Sequence, residues 1–201
     1  YSTLRLLNGA SLVGEDRNRY VQGNLAAVKA AVPAGAATLF PNGFTLTPAT
    51  TLSNLTVFRR AGLGIAQVSY GTNSTGANQG IDQLWQTSAP VDGQVQLSWL
   101  AENDNGLTSL SQSQAWARSS APVAGSGWTS ISASQDASAS RAVTGAVPTG
   151  SRYSFFTVST APAPLPVSLV SFTARRVGTE AQLSWRKAQE LNSDRFEVEL
   201  S

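Results

Sequence analysis

The chain has 201 residues, with 14 Lys+Arg against 12 Asp+Glu for a net charge of +2, and no His, Cys or Met. These zeros exclude a Ser-His-Asp triad, a Cys nucleophile, a Cys/His zinc site and any disulfide, and they leave no side chain with an ordinary pKa near neutrality. The length suits one or two domains with a sizeable core, the 41% apolar share is too high for disorder at so low a charge, and no uninterrupted apolar run reaches the roughly 18 residues of a membrane helix.

From the start of the chain, strand signals dominate. Residues 1–13 carry strand-like side chains at once, with no charged leader or cleavage site, so they do not read as a signal peptide. Leu4 to Leu12 suits either a short coil at the end of a preceding β repeat, such as a β-helix, or an edge strand of a sandwich, so residues 1–20 stay open between the two. Leu25 to Val32 is Ala-rich, but Pro33 and Gly35 cut it short, which makes it thin support for a helix. Leu55 and Val57 alternate ahead of Phe58-Arg59-Arg60. The two neighbouring arginines fall on opposite sheet faces and read as solvated rim charge. Residues 71–80 form a polar loop rich in Gly, Asn, Ser and Thr.

Val95, Leu97 and Trp99 alternate with Gln94, Gln96 and Ser98, which is the period of a half-buried strand. Leu107 to Arg118 holds a turn or two of helix as a minor alternative. Tyr153, Phe155 and Thr157 face one way, and Phe156 and Val158 the other. Asn8-Gly9, Asn42-Gly43, Asp92-Gly93 and Asn105-Gly106 punctuate these runs, because Gly and Asn accept positive φ at little cost. Residues 161–166, Ala-Pro-Ala-Pro-Leu-Pro, lack the donors for a continuous ladder and read as a linker. Beyond it lie three strand-like runs, Val167 to Ala174, Ala181 to Arg186 and Phe196 to Leu200. The fold expectation is therefore all-β: an antiparallel β-sandwich of the immunoglobulin/fibronectin III-like kind over residues 1–160, the linker 161–166, and the first strands of a truncated second module over 167–201. Gln96-Leu97-Ser98-Trp99 recurs as Gln182-Leu183-Ser184-Trp185, a weak echo between the two modules.

Few residues offer chemistry. Glu102 and Asp104, with Asn103 and Asn105, form a compact oxygen-rich cluster that suits Ca²⁺. Against this, an EF-hand needs a Glu at its twelfth position, where Ser113 stands, and Asn105-Gly106 makes the cluster an ordinary polar turn. The same carboxylates with Asp82 are the body's only acidic group near aromatics, and a glycosidase pair from them is a remote reading. Trp85, Trp99 and Trp185 follow apolar patterns and read as core. Trp116 and Trp128 lie between polar runs and are the better candidates for exposed sugar-stacking faces. Gly62-Leu63-Gly64 opens like a dinucleotide fingerprint, but Gln67 replaces the third glycine. The cations are spread along the chain, unlike those of a nucleic-acid binder.

Residues 165–174, Leu-Pro-Val-Ser-Leu-Val-Ser-Phe-Thr-Ala, then Leu183-Ser184-Trp185, then residues 190–199, Glu-Leu-Asn-Ser-Asp-Arg-Phe-Glu-Val-Glu, resemble a fibronectin type III-like module. That module is common near the C-termini of large exported proteins of Bacteroidota (Hymenobacter-like), ahead of a type IX secretion sorting domain. The body resembles the region preceding this module, through residues 19–25, 40–43, 80–85 and 97–107. It departs from those relatives after Phe40-Pro41, which passes quickly to Phe44-Thr45-Leu46-Thr47-Pro48.

The resemblance implies a secreted, multidomain cell-surface protein with no catalytic residue and no cofactor. The expectation that follows is a non-enzymatic structural or adhesive module of an extracellular filament. It would assemble with copies of itself or neighbouring domains through β-strand edges, without nucleic acid or a membrane span. Val167, Leu169, Val170, Phe172, Leu183, Trp185, Phe196 and Val198 are the expected strand-pairing residues, seated on the body or on another chain. The rival expectation is a carbohydrate- or calcium-binding module.

Overall fold

A computed structural model describes residues 3–16, 19–61, 80–107, 109–120, 128–148 and 150–160, and the backbone of strands 169–177 and 180–187. The chain divides into two compact units, Tyr1–Pro164 and Leu165–Ser201. The described residues are mostly strand, with no α-helix. In chain order the strands of the first unit are β1 (Thr3–Leu6), β2 (Gly23–Val32), β3 (Thr38–Phe40), β4 (Phe44–Thr47), β5 (Leu52–Ala61), β6 (Gln83–Val91), β7 (Gly93–Ser98), β8 (Gln114–Arg118), β9 (Thr129–Ser130), β10 (Ala142–Val147) and β11 (Tyr153–Ser159). A single 3₁₀ turn, Ala101–Asp104, follows β7.

These strands form two sheets. One has seven strands in the order β1-β2-β5-β6-β11-β8-β9, and the other has four in the order β10-β7-β4-β3. Among the described strand pairs only β1–β2 is parallel. The alternation read at Leu55/Val57 and Val95/Leu97 belongs to β5 and β7. The Ala-rich stretch from Leu25 to Val32 is strand β2, because β5 pairs along its length and β1 pairs with its start, through Ala27. This pairing outweighs the helix propensity of alanine. The segment from Leu107 to Arg118 likewise ends in β8 rather than a helix.

One core takes side chains from both sheets. Ala27, Val57, Trp85, Ala115, Ala117, Phe156 and Val158 come from the seven-stranded sheet, and Phe40, Phe44, Leu46, Val95, Leu97 and Val143 from the four-stranded one. Phe44 sits at its centre, edge-on to Phe40 (centroids 6.0 Å apart) and tilted against Phe156 (5.4 Å). Such aromatic pairs add about 0.5–1.5 kcal/mol each beyond the area they bury.

Turn chemistry fixes how the chain crosses between sheets. Gly43 closes the β3–β4 hairpin with φ 83°, and a Cβ there would lie 2.2 Å from the Ser98 carbonyl oxygen, so only glycine fits. Asp92-Gly93 does more than turn a hairpin. Gly93 (φ 92°) carries the chain from β6 in one sheet to β7 in the other, against the Thr47 backbone.

The segment after β9 then ties the sheets together on one side. The Ile131 amide donates to the Ala115 carbonyl of β8, and the Ala146 amide of β10 donates to the Ile131 carbonyl. The Gln135 side chain reads the Thr144 backbone twice, accepting from its amide (3.0 Å) and donating to its carbonyl (2.6 Å).

The second unit contains β12 (Leu169–Val177) and β13 (Glu180–Lys187), an antiparallel pair with an irregular register between Leu169 and Ser171. The linker at 161–166 and the expected strand at Phe196 to Leu200 lie outside the described residues.

Candidate functional site

The expected assembly strands form the first candidate. Leu169, Val170 and Phe172 lie on β12, and Leu183 and Trp185 on β13. Phe172 is directly opposite Trp185, and Ala174 opposite Leu183. Val167, Phe196 and Val198 lie outside the described residues. Among the described residues β12 and β13 make a sheet of two strands, and no third strand pairs with either. A two-stranded ribbon is marginally stable alone, because its backbone is paired along one seam only. Among the described residues the outer row of N–H and C=O groups of each strand has no strand partner.

The predicted calcium position is built differently from a cation site. Glu102 and Asp104 lie in the 3₁₀ turn that follows β7. Asn105 ends that turn in the left-handed region at φ 53°, with Gly106 following at φ 73°, as the Asn-Gly dipeptide suggests. Both Asp104 oxygens are engaged. The Trp99 indole N–H donates to Oδ1 at 2.8 Å, and the Arg141 guanidinium donates to Oδ1 and Oδ2 at 2.8–3.2 Å. Next to it the Asn103 amide donates to Asp82 Oδ1 (2.8 Å), and the Asn105 amide to the Gly80 carbonyl (3.0 Å). The arrangement clasps the turn onto the start of β6 and onto the backbone ahead of β10. Among the described residues no group of three or more Asp or Glu side chains converges as metal ligands would.

The tryptophans divide differently from their sequence context. Trp85 and Trp99 are core, as their alternation implies, and each indole N–H has a partner, the Asn42 carbonyl for Trp85 and Asp104 for Trp99. Trp116, read as an exposed stacking face, is 4% exposed, and its indole N–H has no partner. It lies on β8 opposite Thr157, which is itself buried, on the face of the strand away from the core residues Ala115 and Ala117. Trp128 is half-buried against Leu84 and Phe155, a second small apolar cluster on the face of the seven-stranded sheet turned away from the main core.

Arg59 also departs from its reading as solvated rim charge. It stands opposite Trp85 on the core side of β5, 4% exposed, while Arg60 on the other face is half-buried and donates to Gln86. The Arg59 guanidinium forms a two-pronged pair with Glu15 and also donates to the Val21 carbonyl. Burial pushes the Glu15 carboxyl up, but hydrogen bonds from Arg59 and the Val21 amide, with the arginine's charge, outweigh this and hold it below its ordinary value of 4.5.

Sequence reasoning did not single out Glu15 or Arg141, and it read Asn42 only as half of an Asn-Gly turn and Gln83 only as part of the segment 80–85. Glu15 meets Arg59 across 44 residues and Arg141 meets Asp104 across 37, separations that one sequence does not encode. Comparison of the chain with protein-family models, with curated proteins and with solved structures finds no match in any of the three.

Proposed function

We propose that this chain is a non-enzymatic structural or adhesive segment of an exported bacterial surface protein, and that it works in an extracellular filament through β-strand addition. On this reading the body is a β-sandwich. Between β6 and β11 the chain passes from one sheet to the other at β6–β7, β7–β8, β9–β10 and β10–β11, as chains do in jelly-roll and other Greek-key sandwiches. The tail is the opening of a fibronectin III-like module. The observation that carries the reading is the two-stranded β12–β13 sheet, with no third strand beside it among the described residues. Such a ribbon gains most by accepting a strand, and main-chain hydrogen bonds then supply the affinity. The absence of His and Cys from the sequence, and the engagement of Asp104 by Trp99 and Arg141, support a role without catalysis.

Among the described residues the rival reading, a carbohydrate- or calcium-binding module, is less well supported, with Trp128 half-buried against Leu84 and Phe155. Trp116 offers no open ring face, and the Asp104 lone pairs are taken.

The test is sedimentation of the full chain beside one lacking residues 165–201. Association that rises with concentration in the full chain and vanishes on deletion is the expected result. A monomer in both cases removes the assembly reading.

A further inference from the structure

The opposite end of the chain carries a different edge. In β1, Thr3, Leu4, Arg5 and Leu6 pair with Asn24, Leu25, Ala26 and Ala27, in parallel and at a constant offset of 21 residues. All other described strand pairs are antiparallel. The Asn8 side chain in the turn after β1 accepts from the Ala30 amide, 22 residues on, so the turn hooks onto the next strand in nearly the same step. A strand that returns beside itself, parallel and in register after about twenty residues, is the unit of a β-solenoid coil.

The side-chain columns follow the same logic. Leu25 and Ala27 are buried on the core side of β2, and in-register pairing sets Leu4 and Leu6 in the next place of those two columns. At β1 the Leu4 column opens to solvent, while Leu6 is half-buried. Leu4 is 47% exposed, and Leu7 (64%) and Val13 (87%), on the path from β1 to β2, are also open. Natural edges of this kind are blunted by charge, bulges or proline. Here the four-residue strand carries one charge, Arg5, and its backbone row facing away from β2 has no partner among the described residues.

We infer that β1 is the seat for a coil of a parallel β-solenoid. The occupant is a parallel strand that sets apolar side chains over Leu4 and Leu6 and continues the 21-residue step. This rests on β1–β2 alone and is independent of assembly at β12–β13.

A tandem chain tests it. Residues 1–21 are duplicated ahead of Tyr1, with Arg5→Glu in the added copy so that the stacked guanidinium charges do not repel. The duplication places the added strand at the 21-residue step. Two controls accompany it: a copy shortened by three residues, which breaks the step, and the full tandem with Leu4→Ser and Leu6→Ser in the recipient β1.

The expected result is exchange slowed about tenfold at the β1 amides that face away from β2, with a raised Tm, in the first chain only. Contacts between the added strand and β1 should be parallel. The inference is overturned if the added copy exchanges as open chain with Tm unchanged, if the shortened copy protects equally, or if the contacts are antiparallel. Loss of the body's fold in the tandem chain also overturns it, because a matched coil extends the sheet without disturbing it.

Discussion

Two polar clusters border the same core. Around Trp99, Asp104 accepts from the indole and from three guanidinium contacts, and Asn103 and Asn105 each find an acceptor. Around Trp85, Asn42 Oδ1, Arg59 Nε and both amide atoms of Gln83 are buried without partners. The clusters differ in what supports them. The first sits on a 3₁₀ turn whose backbone can adjust until its donors and acceptors meet. In the second, Asn42 lies in the β3–β4 turn, but Arg59 and Gln83 sit on β5 and β6, where register and pleat decide which way each side chain points. The difference teaches that packing against Trp85 took precedence over hydrogen bonding, and the following changes probe that.

The largest expected effect lies at Glu15. Glu15→Ala leaves the Arg59 guanidinium buried and unpaired, which costs about 3–5 kcal/mol, read by urea unfolding. Replacing both partners, as Glu15→Leu with Arg59→Met, should recover most of that loss, since an apolar pair of similar volume avoids the desolvation of two charges. A double variant as unstable as Glu15→Ala would mean that the ion pair itself holds the segment before β2 against the core.

Asp104→Ala comes next. It strips the Trp99 indole and Arg141 of their shared acceptor, at about 2–3 kcal/mol. Arg141 is one-third exposed and recovers some hydration, which is why this loss ranks below the first. A loss under about 0.5 kcal/mol would show the turn to be held by Asn103 and Asn105 instead.

The same carboxylate at Glu15 sets a pH dependence. Its folded pKa is lowered, so its contribution is full above the unfolded value of about 4.5 and is lost as pH falls through the folded one. Thermal unfolding between pH 6 and pH 2 should show stability falling with acid, and Glu15→Gln should flatten that limb. Some slope should remain from Asp136, whose carboxyl is also lowered, by hydrogen bonds from the Ser138 side chain and amide.

These positions also show what the sequence could carry. Alternation at Leu55/Val57 and Val95/Leu97 identified β5 and β7, because a strand half-buried on one face writes its period directly. The Asn-Gly and Asp-Gly dipeptides marked true turns, since positive φ selects those residues. Trp116 misled because its neighbours along the chain are small or polar, and they do not report what packs on its face of β8. Arg59 misled because alternation gives a side chain's face but not whether a carboxylate 44 residues away waits there. The parallel step of β1 onto β2 was legible only as a choice between a coil and an edge strand. Partners separated along the chain are fixed by topology, and topology is a property of the whole sheet.

Gln83 gives the smallest and most pointed test. It stands two residues before Trp85 on the same face of β6, 1% exposed, opposite Ala61, with neither its amide nitrogen nor its oxygen hydrogen-bonded. A buried, unpaired amide costs about 1–3 kcal/mol of desolvation with nothing returned. Leucine has no polar atoms and nearly the same volume. Gln83→Leu should therefore raise stability by about 1 kcal/mol, seen as a Tm increase of about 2–4 °C in a chain of this size. A decrease would mean that the amide holds ordered water between Gln83, Arg59 and Asn42. The cluster around Trp85 would then be satisfied through solvent, and its contrast with the clasp around Trp99 would be one of means rather than of degree.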